Sequence, residues 1–129
     1  MKIIIKFMAT LPTIGLDATI RKEFDSFQVF YETDTMRRDE GSRCEADIAC
    51  ISRGETVAGL HFYDSEPIPK NWVEMHEKRD PIPMLNFHIS RFNDIMNILR
   101  YQKPLWILYE YRYLRGTLYG GNEDIGQQE

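Results

Sequence analysis

From Cys44 to Tyr63 the chain alternates apolar and polar side chains on either side of Ser52-Arg53-Gly54. A ribbon with a period of two and one buried face is pinned in register, because a slip of one residue would turn every side chain over. A three-residue loop with glycine in the left-handed position pairs Ile51 with Glu55. In that frame Cys44, Ala46, Ile48 and Cys50 share a face with Thr56, Ala58, Leu60 and Phe62. Glu45, Asp47, Gly59, His61 and Tyr63 point the other way. A two-residue loop at Gly54-Glu55 would mix the two sets, so the pattern predicts a hairpin with one apolar and one largely polar side.

A related signal stands near the C-terminus, where Leu114-Arg115-Gly116 separates Pro104–Tyr113 from Thr117–Tyr119. The same loop geometry sets Tyr111 across from Tyr119, an aromatic pair of the kind that stabilises sheets. Between the hairpins, Phe92, Ile95, Met96 and Leu99 recur at helical spacing behind Ser90 as N-cap. Asp94 and Arg100 suit the two ends of that helix dipole, and Pro104 stops it. Leu85, Phe87 and Ile89 alternate just before it, and Phe27 to Thr33 also reads as a strand. Asp17 to Phe24 suits a short helix or a strand equally, and Met1–Leu16 reads as a strand and not as an export signal. The fold class expected is α+β: a mainly antiparallel sheet of about six strands with one helix over 91–101 packed on it.

At 129 residues, 43% hydrophobic and 28% charged, the chain has enough material for one core and too little for two. It is therefore expected to form a single domain over 1–129. Asp34–Arg43 reads as a charged loop. The prolines at 67, 69, 81 and 83 make 64–84 a surface excursion, with helix around Trp72–Lys78. Residues 120–129 form a polar tail. No run of apolar residues reaches the roughly 18 that a membrane-spanning helix needs, so the expected location is the cytoplasm, without a membrane partner.

A net charge of −4 argues against a protein built to wrap duplex nucleic acid, whose affinity comes from neutralised phosphates. Cys44 and Cys50, six residues apart on one strand, lie roughly 20 Å from each other, too far for a disulfide. Both are expected on the buried side, where a thiol behaves as a small core residue. The three histidines, at 61, 76 and 88, show no metal-ligand spacing, and no glycine-rich phosphate loop or nucleophile elbow occurs. No cofactor, metal or catalytic residue is expected on these grounds.

Two surfaces remain. On the polar face of the first hairpin, His61 is expected directly opposite Glu45 with Asp47 nearby, and His88 joins them if its strand is a neighbour. A carboxylate beside an imidazole is the arrangement that acid–base chemistry uses, although a solvated cross-strand pair is the plainer reading. The second surface is the run from Tyr101 to Tyr119, in which Tyr109, Tyr111, Tyr113 and Tyr119 are interleaved with Arg112 and Arg115. Tyrosine and arginine are enriched where proteins meet. Aromatic platforms beside cations also bind single-stranded nucleic acid, although Glu110 and the acidic balance work against that. The sequence thus favours a small non-catalytic binding module that contacts a protein partner or a second copy through the C-terminal hairpin. Single-stranded nucleic-acid binding comes second, and a small-ligand binder or acid–base enzyme using Glu45 and His61 comes third.

Overall fold

The computed structural model describes residues 18–32 and 42–121. The readings made for Met1–Leu16, for most of Asp34–Arg43 and for nearly all of the C-terminal tail lie outside these residues. Within them the chain is α+β and mostly antiparallel, with eight strands in two sheets where about six in one sheet were expected. In chain order the strands are β1 (Thr19–Phe24), β2 (Ser26–Tyr31), β3 (Cys44–Ser52), β4 (Glu55–Tyr63), β5 (Trp72–Glu74), β6 (Ile82–His88), β7 (Leu105–Glu110) and β8 (Arg115–Gly120). A 3-10 turn, Ile89–Arg91, leads into helix α1, Phe92–Tyr101, between β6 and β7.

The larger sheet has the order β2-β3-β4-β6-β5 and the smaller β1-β7-β8. The chain changes sheets at Asp25, whose N–H donates to the Ile51 carbonyl and whose own carbonyl receives the Lys103 ammonium. The ambiguous stretch before it is therefore strand, with Ile20 and Phe24 turned toward the core. All pairings are antiparallel except β4 with β6, which run parallel. The excursion and its β5 strand supply the crossover between them. Residues 72–74 form this edge strand, not the helix expected around Trp72–Lys78. Val73 packs against the core from it, so tertiary burial overrode a weak helical spacing.

One side of the large sheet carries the core. Ala46, Ile48, Cys50, Ala58, Leu60 and Phe62 are essentially inaccessible there. Helix α1 covers that side with Ile95, Met96 and Leu99, and Phe92 meets Phe62 edge-on at 5.0 Å between ring centres. The small sheet contributes Leu105, Ile107 and Tyr109 to the same cluster. A Cβ on Gly116 would lie only 2.3 Å from Leu85 Cγ, so the missing side chain on β8 is what lets β6 approach.

The helix start differs in detail from the sequence reading. Ser90 is not the cap; the His88 ring accepts the Ser90 N–H at Nδ1, 3.1 Å away, and thus caps the 3-10 turn.

Candidate functional site

The first hairpin closes through a two-residue loop, Arg53-Gly54, between the paired residues Ser52 and Glu55. Both loop residues have positive φ, 53° and 79°, as a type I′ turn demands. Such a loop alone would shift the expected frame by one residue and put polar side chains inside. A bulge restores it: Ile51 pairs with Thr56 but Cys50 with Ala58, leaving Val57 as the extra residue. The net slip is two residues, an even number, so the apolar face stays apolar while every cross-strand partner changes. His61 consequently faces Asp47 and not Glu45. Thr56, on the loop side of the bulge, is exposed and not on the core face.

A second irregularity acts at the other end of β3. Cys44 pairs with Tyr63 and Ala46 with Phe62, so Glu45 is the extra residue. Its carboxylate takes Arg43 at 3.0 Å and its carbonyl takes the Glu32 N–H, so Glu45 takes no part in the pairing with His61. The bulge also turns Cys44 over. Instead of pointing inward with Ala46 and Cys50, its Sγ donates to Asp47 Oδ1 at 3.0 Å on the outer face. Cys50 stays in the core.

Asp47 is thus the hub of a half-buried polar cluster. Its Oδ1 lies 2.5 Å from His61 Nδ1 as well as within reach of the Cys44 thiol. The side chains of His61 and Asp47 keep only 25% and 27% of their accessibility. Burial opposes ionisation of Asp47, but hydrogen bonds from Cys44 and His61, the His61 charge and a contact with the Glu32 carboxyl outweigh it. The carboxyl is held below its ordinary range. The Cys44 thiol is pushed up to about 12 by burial first and by the Asp47 hydrogen bond and charge second. It is a protonated donor at neutral pH, not a thiolate nucleophile. Cys50 is pushed up to about 12 by burial.

The far side of the imidazole is as telling. His61 Nε2 is buried and has no hydrogen-bond partner. It flanks Gly59, where a Cβ would stand 3.4 Å from Nε2 and 2.7 Å from Met84 Sδ. Across the parallel ladder His61 pairs with Asn86, whose Oδ1 is likewise buried and unpartnered. The Asn86 amide nitrogen is engaged by the Pro69 and Lys70 carbonyls, which ties the excursion down beside the site. His88 does lie on the neighbouring strand, opposite Tyr63, but its ring is turned to Ser90 and does not join the cluster.

The C-terminal surface is rearranged more deeply. The β7–β8 loop is the four residues Tyr111–Leu114, with Glu110 paired to Arg115. Tyr119 therefore stacks on Trp106, 6.3 Å apart and 12° from parallel, and not on Tyr111. Tyr109 is in the core at 1% exposure, which removes it from any contact surface. Tyr111 packs edge-on against Tyr109, and its hydroxyl is buried. Arg112 sits in the exposed loop. Arg115 is held by Glu110 at 2.8 Å and 3.2 Å, and its guanidinium lies 5.4 Å from the ring centre of the exposed Tyr113. A residue absent from the sequence reading joins this corner. The Asn71 side chain donates to the Leu114 carbonyl at 2.9 Å, which ties the residue before exposed Trp72 to the loop that carries exposed Tyr113 and Leu114.

A cleft of about 520 Å³ opens elsewhere, lined by three basic residues, Lys22, Lys78 and Arg79, and by the acidic Glu55, Glu77 and Asp80. Its balanced charges, partly spent in a Lys22–Asp80 contact of 3.6 Å, favour neither sign of ligand. Among the described residues no helix is long and apolar enough to cross a membrane. Comparison with protein-family models, with curated proteins and with solved structures finds no match for this chain.

Proposed function

We propose that this chain is a small non-catalytic binding module that engages a protein surface, a second copy of itself included, through the corner where the β7–β8 loop meets the β5 edge. The observation that carries the reading is the exposure of Trp72, Tyr113 and Leu114, at 47%, 63% and 41%. The Asn71–Leu114 bond ties the start of β5 to the β7–β8 loop that bears the other two. Exposed aromatic rings beside arginine are the composition of an interface hot spot. Unstacked bases find less here. Trp106 and Tyr119 already stack on each other, and Arg115 is engaged by Glu110.

The test uses the full chain and the double variant Trp72→Ala/Tyr113→Ala, whose substitutions are exposed and leave the core alone. Self-association measured by sedimentation equilibrium, and capture of protein partners, should weaken by roughly 30-fold or more if the two rings are hot-spot residues. Equal association and equal capture by the two folded proteins would refute the reading. Saturable, salt-sensitive binding of an unstructured oligonucleotide would replace it with the nucleic-acid alternative.

A further inference from the structure

We propose that Cys44, Asp47 and His61 form a binding site for a zinc-class divalent metal ion on the outer face of the large sheet, a site that does not depend on the contact corner. The three donor atoms, a thiol sulfur, a carboxylate oxygen and an imidazole nitrogen, lie within 4.8 Å of one another. They come from one short stretch of β3 and the facing position of β4, so the register and the Glu45 bulge together bring them to one point. A mixed sulfur, nitrogen and oxygen set suits a borderline ion such as Zn²⁺. Ca²⁺ and Mg²⁺ want oxygen alone.

The present distances fit a site closed by protons. Around a tetrahedral Zn²⁺ neighbouring ligand atoms stand about 3.3–3.6 Å apart. Asp47 at 3.0 Å from Cys44 and 2.5 Å from His61 would need to withdraw by roughly 0.5–1 Å to admit the ion. The sulfur–metal bond forms as the S–H bond breaks, and that proton leaves to solvent, as does the proton shared between His61 Nδ1 and Asp47.

The second observation lies behind the imidazole. A histidine that ligates through Nδ1 carries its proton on Nε2, and metal-bound histidines donate that other N–H to a carboxylate or carbonyl. His61 Nε2 is buried without a partner, and the paired residue Asn86 holds a buried carbonyl oxygen, also without a partner. The two atoms are not hydrogen-bonded to each other; Nδ1, which lies beside Asp47 Oδ1, is the nitrogen placed to ligate. Three protein ligands leave one position open on a four-coordinate ion.

The experiment takes the full chain stripped of metal by chelation and titrates it with Co²⁺, then displaces Co²⁺ with Zn²⁺. Saturation at one ion per chain is expected, with a near-ultraviolet sulfur-to-cobalt charge-transfer band and visible absorption of a four-coordinate ion. Cys44→Ser should lose the charge-transfer band, and His61→Ala should bind Zn²⁺ at least 10-fold more weakly. Cys50→Ala, which alters the other thiol, should keep both. Circular dichroism checks each fold, and because the wild-type band is itself decisive, a variant that fails to fold does not shelter the proposal. The site is overturned if the wild type shows no saturable uptake, or if the band survives Cys44→Ser or vanishes only in Cys50→Ala.

Discussion

In the β3–β4 hairpin the side chains divide cleanly: six essentially inaccessible residues face the core and Asp47 and His61 face out. In β7–β8 the division is lopsided instead. Strand β7 buries Leu105, Ile107 and Tyr109, whereas its partner β8 presents Gly116, Leu118 and Gly120 to the same side and has no fully buried residue. Its opposite side holds Trp106 stacked on Tyr119. One hairpin is held by what it buries, the other by how closely its glycines let Leu85 and Gln102 approach and by its aromatic stack. A clean division leaves the outer face free to gather polar groups at one point. A lopsided one spends both faces on packing, and its loop remains for contact.

The sharpest way to break this contrast is Phe62→Ala. Phe62 is fully buried and touches the rings of Phe87 and Phe92, so its truncation should cost about 3–5 kcal/mol in urea unfolding. A loss below about 1 kcal/mol would mean that the first hairpin is not held by its buried face. The two glycines sharpen the contrast further. Gly116→Ala drives a methyl against the branch carbon of Leu85 and should cost about 1–3 kcal/mol. Gly59→Ala meets the flexible thioether of Met84 on the outer face and should cost under about 1 kcal/mol by the same measurement. Similar losses at both would erase the distinction.

The smallest effect is electrostatic and belongs to the second hairpin. The Arg115 hydrogen bond holds the Glu110 carboxyl below the usual carboxylate range, against a slight effect of burial and with help from the arginine charge. A depressed folded-state pKa means a contribution to stability that is present above the unfolded value, about 4.3, and is lost as pH falls through the folded value. Arg115→Gln should return the Glu110 titration, followed by NMR, to the ordinary range. It should remove about 0.2–1 kcal/mol at neutral pH and nothing at strongly acidic pH. An unchanged Glu110 titration would show that the pair does not hold in solution.

Much of this was legible in the residues. The alternation of 44–63 announced most of the side chains buried in β3 and β4, Thr56 and Cys44 excepted, because burial penalises an odd slip along the whole ribbon. The helix was legible from Phe92, Ile95, Met96 and Leu99. What the alternation does not encode is an even slip, since a shift of two keeps the faces and changes only the partners. Asp47 therefore took the place expected of Glu45. Bulges leave no mark in a period of two, which is why Cys44 was expected inside. In β7–β8 apolar residues occupy both faces, so the pattern gave no reason to prefer one loop over another, and the register moved by an odd number. The parallel neighbour that brings Asn86 beside His61, and the edge strand at Trp72, depend on a crossover that no local pattern specifies.

The outer-face cluster exists only if Asp47 stands across from His61. Cross-strand nuclear Overhauser contacts between the backbones of residues 44–48 and 60–63 read that pairing directly. Contacts linking Asp47 to His61 and Ala46 to Phe62, with Glu45 bulged out, are the predicted result. Contacts linking Glu45 to His61 and Ala46 to Leu60 would contradict it, and would scatter the thiol, carboxylate and imidazole that the outer face is held to bring together.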